Sequence, residues 1–400
     1  MYKTINKKIL TPYLILGIFI YDIFLKIFVY YYFSYFEINI NKNAITIVSF
    51  VLLLIIAINE TIKNKKEYKN YLIFLFFIVY MLTYAVYNLF FGKDYINTHV
   101  IIFQLKLIMY SFFYIILAIL FYKSMDNNIL KKLVICSFFV LLFFIYFHIN
   151  FEKLRFSLPY IKGEHHLIGE SFVLLGLLYL SFINNKHIKF ILMTILLVSL
   201  YLIKSRAIFY SFFIVYLIFI VRLLGVRNAF YLALSFIVTV IISLYFDLIN
   251  IDRRMFGINQ ILSDSSFNER VEQFKYGISA IKNNWVWGEF AGQIVKHKVG
   301  YQSGMMGAYM HNFLSFWRQY GFIFFILFSF SYFYLLLKIT LLWLKNSENR
   351  KLEFVYYLGL YYTILLLFFQ GYNQPHVWFS MVLMYICIKD IIHNKVESFR

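Results

Sequence analysis

The chain has 400 residues, of which 62% are hydrophobic and 14% charged. A water-soluble domain of this length has too little interior to hide so much apolar side chain, so that class is excluded. The formal net charge of +19 invites a nucleic-acid partner, but the Lys and Arg residues stand mostly between apolar runs, which is the pattern of membrane topology signals.

Lys3, Lys7 and Lys8 precede an apolar stretch from Leu10 to Phe33. It is long and lacks a small-residue cleavage site, so it reads as a retained first helix rather than a removed leader. Hydropathy then predicts about twelve membrane spans. Their limits are near 10–34, 44–59, 71–91, 100–122, 130–149, 165–183, 188–203, 206–224, 228–247, 313–341, 353–370 and 376–392. The predicted fold class is all-α: a single polytopic transmembrane domain over 1–400, with one large loop over 248–311. Cys136 and Cys387 both fall inside predicted spans and read as buried thiols rather than a disulfide framework. There is no HExxH, no CxxC and no carboxylate cluster at ligand spacing, so no metal site and no cofactor is expected.

Basic residues set the orientation. With the N-terminus in the cytoplasm, the inner segments hold Lys63, Lys65, Lys66, Lys69, Lys131, Lys132, Lys186, Lys189, Arg227, Arg350, Lys351 and Lys395, among others. The positive-inside rule favours this arrangement, which puts both termini in the cytoplasm and the 248–311 loop outside. Lys204, Arg206, Arg253, Arg254 and Arg270 then lie on the outer side, where topology does not call for them. An outward site for an anion accounts for some of them.

Lys204-Ser205-Arg206 separates spans seven and eight. Ser205 suits an N-cap, and a helix N-terminus beside an Arg fork suits a phosphate. An interfacial Arg snorkelling to headgroups fits the same residues. Upstream, Glu164, His165 and His166 open span six at the same face; neighbouring histidines point to different sides of a helix, so they are not a metal pair. In the long loop, Val271, Phe274, Ile278 and Ile281 recur at helical spacing from Arg270 to Asn283-Asn284. Such a helix is expected to lie on the membrane surface with its apolar face down. Trp285, Trp287, Gly288, Glu289 and Phe290 follow; rings beside glycines suit sugar stacking, and tryptophan equally suits the membrane interface. His311-Asn312 stands where the loop enters span ten. A histidine there can take a proton from a hydroxyl near neutral pH. Arg318 is expected about two turns further along the same helix, deep enough to be a functional candidate.

Taken in order, these residues resemble the O-antigen polymerase (Wzy-type) and O-antigen ligase superfamily of bacterial envelope proteins. Ser205-Arg206 with small Ala207 opens a span. Arg270, a helix and Trp287-Gly288-Glu289-Phe290 follow in one large loop. His311-Asn312-Phe313-Leu314 and then Tyr320-Gly321-Phe322-Ile323 close it. The resemblance covers residues 160–325. Ala207 stands where the family often has Gly, and Arg318-Gln319 where it often has an acid, which leaves the acceptor side open.

The resemblance implies a metal-independent glycosyltransferase of the bacterial inner membrane. Its donor is an oligosaccharide on undecaprenyl diphosphate, its surroundings are membrane lipids, and a chain-length regulator protein is a partner. Arg206 and Arg270 would bind the diphosphate, and His311 would act as general base. Lys204, Ser205, Asn312, Arg318, Trp287, Glu289, His165 and His166 are the further substrate-binding candidates. The Phe-, Ile-, Tyr- and Asn-rich composition favours the polymerase over the ligase. A flippase or transporter is the alternative of another class; such chains usually show two related halves, and none is visible here.

Overall fold

The computed structural model describes residues 15–35, 42–63, 71–91, 98–150, 155–156, 165–245, 265–290, 295–297, 300–302, 313–346, 349–369 and 375–397. Helix α1 covers 15–35 and contains a π-helical turn, Tyr21–Leu25, before Lys26–Tyr35. Helices α2 (Lys42–Lys63), α3 (Leu72–Phe91), α4 (Thr98–Ser124) and α5 (Asn128–Phe147) follow. A short antiparallel pair, β1 (Ile149–Asn150) and β2 (Arg155–Phe156), leads into α6 (His165–Ser181), α7 (Lys186–Ile203) and α8 (Arg206–Tyr245). Next come α9 (Ser265–Asn283) and a hairpin of β3 (Val295–His297) and β4 (Gly300–Gln302). The chain closes with α10 (Ser315–Lys345), α11 (Arg350–Phe368) and α12 (His376–Glu397).

Among the described residues, eight helices are long and apolar enough to cross a membrane: Leu72–Phe91, Ile101–Ser124, Asn128–Phe147, Lys186–Ile203, Arg206–Tyr231, Ser315–Lys345, Arg350–Phe368 and His376–His393. Val48–Asn59 and His165–Ser181 are apolar but shorter. The chain is an all-α membrane protein. Phe143 is 76% exposed and Phe147 78%, a surface that water would penalise and hydrocarbon would not. The centre is built by α4, α11 and α12, with α12 packed on α4, α10 and α11. Cys387 is buried there, whereas Cys136 is exposed on α5 and corrects the expectation of two buried thiols. The one-residue offset between faces of a helix decides this, and hydropathy inside a span does not report it.

Two helices are interrupted by glycine. Gly225 in α8 has φ 78° and Gly321 in α10 has φ 80°, a conformation that side chains with a Cβ rarely adopt. Gly225 falls between the stretches predicted as spans eight and nine. Three helix starts are set by asparagine. Asn127, Asn185 and Asn349 each accept a backbone N–H two or three residues on, at the starts of α5, α7 and α11. Such caps contribute about 0.5–2 kcal/mol each. Polar contacts tie these turns together: Lys351 to Asp126 at 2.5 Å, Arg350 to Asn184 at 3.0 Å, and Lys189 to Glu353.

Candidate functional site

The junction of α7 and α8 is a two-residue turn. Lys204 takes the left-handed conformation (φ 57°) that ends α7. Ser205 follows, 4% exposed, and its carbonyl accepts the N–H of Phe209 at 2.9 Å, so α8 begins from it. The Ser205 hydroxyl lies 3.0 Å from Nδ1 of His166 in the first turn of α6. Glycine makes that approach possible: a Cβ on Gly169 would stand 3.1 Å from Ile208 of α8, and one on Gly176 would stand 2.4 Å from Leu196 of α7.

Arg206 is the first residue of α8 and is half-buried, close enough to Tyr210 one turn on to act on it electrostatically. Arg270, exposed on α9, lies within electrostatic reach of His166. Lys204, Ser205, Arg206, His166 and Arg270 therefore gather around one end of α6 and α8. An α-helix N-terminus and three basic side chains make that end a place of positive potential. His165, beside it, packs edge-on against Phe156 of β2, ring centroids 6.0 Å apart.

A second assembly joins the turn after α9 to the break in α10. At that break the chain exchanges hydrogen bonds. Phe322 N–H would find Arg318 O in a continuous helix. It donates instead to Val286 O at 3.0 Å, and Arg318 O accepts Glu289 N–H. Trp317 Nε1 donates to Trp285 O at 2.7 Å. From α3, Tyr84 donates to Trp287 O, and Tyr80 to Tyr320 O at 3.2 Å. Phe290 is buried against Tyr84 and Tyr320. Arg318 is 1% exposed; its Nη2 lies 3.2 Å from Glu289 and its guanidinium 5.8 Å from the ring centroid of Tyr276 on α9.

Helix α9 links the two assemblies, with Arg270 at the first and Tyr276 at the second. The predicted helix is present, beginning five residues before Arg270 and ending at Asn283. Its buried face differs from the expected stripe. Gln273, Gly277, Ala280 and Ile281 are buried, whereas Phe274 is 41% exposed. Ile278 and Ile281 pack with Tyr276 on Leu314 and Trp317, so protein rather than a bilayer covers this part of the helix. Trp285 and Trp287 are exposed at 54% and 68%, their carbonyls committed to Trp317 and Tyr84.

His311 and Asn312 lie outside the described residues. Helix α10 begins at Ser315, after a turn at Phe313-Leu314. Arg318 sits in a six-residue first segment of that helix, cut off by Gly321, and faces Glu289. The single long helix expected from 313 to 341 is therefore two segments. Sequence reading also passed over Tyr80 and Tyr84, because the contacts they make are to backbone in a motif more than two hundred residues away. It passed over Glu170 as well, although a carboxylate inside an apolar run is itself a signal.

Compared with family models and with curated proteins, the chain finds no match.

Proposed function

We propose that this protein is a surface-polysaccharide polymerase that transfers a glycan chain from undecaprenyl diphosphate onto a lipid-linked repeat unit. The reading includes about twelve spans, cytoplasmic termini and an outward-facing loop over 248–311 at a bacterial inner membrane. What supports it above all is the Ser205 hydroxyl 3.0 Å from His166, next to Arg206 in the chain, with Arg270 of the long loop within electrostatic reach of that histidine. Basic residues distant in sequence converge on a helix N-terminus, which is an arrangement suited to a diphosphate.

In this mechanism Arg206 and Arg270 hold the donor diphosphate and offset the charge that grows on it as it departs. His311 takes the proton from the acceptor hydroxyl. The hydroxyl oxygen bonds to the anomeric carbon, the bond from that carbon to the phosphate oxygen breaks, and undecaprenyl diphosphate leaves. One direct displacement inverts the anomeric carbon. Trp287, exposed at the edge of the second assembly, offers a stacking face to a sugar. Arg318 and Glu289 hold the turn that carries it.

Deleting the gene and resolving the surface polysaccharide on a gel tests the reading. A polymerase deletion loses the ladder and keeps a single capped unit. Loss of all capping identifies a ligase instead, and accumulation of inward-facing lipid-linked unit identifies a flippase.

A further inference from the structure

Below the Ser205 turn, the interior of the bundle holds ionisable groups that the proposed reaction does not use. Glu170 of α6 is 5% exposed, and its Oε1 lies 3.1 Å from Nδ1 of His376, the first residue of α12, an ion-pair distance at which neither atom makes a hydrogen bond among the described residues. Two neighbouring tyrosines of α11 lie near the same carboxylate. Tyr361 and Tyr362 are both 0% exposed, both within electrostatic reach of Glu170, and the Tyr361 hydroxyl has no hydrogen-bond partner among the described residues. From α4, the Tyr114 ring packs edge-on against His376 with centroids 4.4 Å apart, and its hydroxyl donates to Asp22 in the π-helical turn of α1. Asp22 has its own cation, Lys26, at 3.4 Å. On the other side, Glu170 stands one turn along α6 from His166, on which both it and Arg270 act electrostatically.

Charge balance separates these pairs. Asp22 stands beside an ammonium group, that of Lys26. Among the described residues the basic group at ion-pair distance from Glu170 is an imidazole, so the pair is neutral when it holds one proton and carries a net negative charge when it holds none. A lone buried carboxylate is costly. A proton needs no cavity, which suits a place where Glu170, Tyr361 and Tyr362 are all closely covered.

We infer that Glu170 and His376 form a buried proton-binding site whose occupancy is coupled to anion binding at His166, Arg206 and Arg270. The inference rests on the donor site proposed above. His166 and Glu170 are four residues apart, about 6 Å along the helix axis. An anion bound at the first residue favours the protonated, neutral form of the pair beneath it. By linkage, protonation of the pair strengthens anion binding by the same factor. Arriving donor thus draws a proton into the bundle, and release of undecaprenyl diphosphate lets it leave. The proton is neither created nor consumed; it comes from bulk water and returns there.

The test is calorimetric titration of the purified full-length protein with a short-chain prenyl diphosphate, in buffers of different ionisation enthalpy. The slope of heat against buffer enthalpy counts protons taken up, and ionisation of the ligand is common to every variant. Wild type is expected to take up a fraction of a proton more per bound ligand than Glu170→Gln, and His376→Gln is expected to match Glu170→Gln. Glu170→Gln is isosteric and His376→Gln keeps a polar side chain, and either one alone supports the comparison. Equal uptake in wild type and both variants, with binding intact, overturns this inference and leaves the donor site standing. Uptake lost only in His166→Asn overturns it too, by assigning the proton to His166. Absence of any binding heat in wild type overturns the donor site and the coupling together.

Discussion

Gly288 and Gly321 face each other across the joint between the loop and α10. A Cβ on Gly288 would stand 2.6 Å from the backbone nitrogen of Gly321, and one on Gly321 would stand 2.2 Å from the carbonyl oxygen of Val286. Both have positive φ, 74° and 80°. Glycine at these two positions is what lets the turn insert into the broken helix and take over its hydrogen bonds.

Substituting either glycine by alanine is expected to open this joint. Positive φ alone costs a side-chain-bearing residue about 1–3 kcal/mol, and the obstructing atoms are backbone, which cannot rotate away. Limited proteolysis of the detergent-solubilised protein should cleave Gly288→Ala and Gly321→Ala between 284 and 291 at protease levels that spare wild type. Equal resistance would mean that the joint does not depend on the close approach.

Arg318 and Glu289 give a second test of the same joint. Removing one partner of a buried pair leaves the other charge uncompensated, at a cost of about 3–5 kcal/mol. Glu289→Leu should therefore lower the thermal midpoint in detergent substantially. Arg318→Met combined with Glu289→Leu should recover part of the loss, because no charge is then left buried. A double variant as unstable as the sum of the single ones would show that the two residues act independently.

Much of this architecture was legible in the sequence, and the reasons are particular. Among the described residues the predicted spans fall largely on helix, and eight of the helices are long and apolar enough to cross a membrane, since a run of apolar residues has few other ways to satisfy its backbone there. The break at Lys204-Ser205 was readable from three polar residues between apolar runs. Gly321 was not readable as a break, because Phe322 and its neighbours continue the apolar pattern and isolated glycines are common in membrane helices. The buried face of α9 was also hidden: Gly277 and Ala280 carry little hydrophobic signal, yet both are buried. Contacts such as Tyr84 to Trp287 join sites 203 residues apart, and no local pattern encodes them.

Orientation follows from the distribution of Lys and Arg. Alkaline phosphatase fused near residue 280 should be active, and fused after residue 400 inactive. The reverse pattern would put α9 and Arg270 on the cytoplasmic side and remove the basis for an outward-facing donor site.

Polymer formation should fall as pH drops through the histidine range. In the proposed mechanism His311 is the base, and only a neutral imidazole can take the proton. The activity lost on acidification is thus the fraction of imidazole that has become imidazolium. His311→Ala should lower the rate by about 10²–10⁴-fold and leave prenyl diphosphate binding unchanged. A His311→Ala protein with the wild-type rate and pH profile would transfer the role of base elsewhere, His166 being an imidazole that the described residues place at the proposed diphosphate site.

Reconstitution tests the central claim most directly. The purified protein is placed in liposomes with a lipid-linked repeat unit of the host's own polysaccharide, and the products are resolved by size. Wild type should produce a ladder. Arg206→Ala and Arg270→Ala should produce none, and Arg→Lys at either position should rescue poorly, because a point charge does not replace a bidentate fork on a diphosphate. A wild-type ladder that persists unchanged in both alanine variants, or a reconstituted wild-type protein that consumes no donor, would contradict the account.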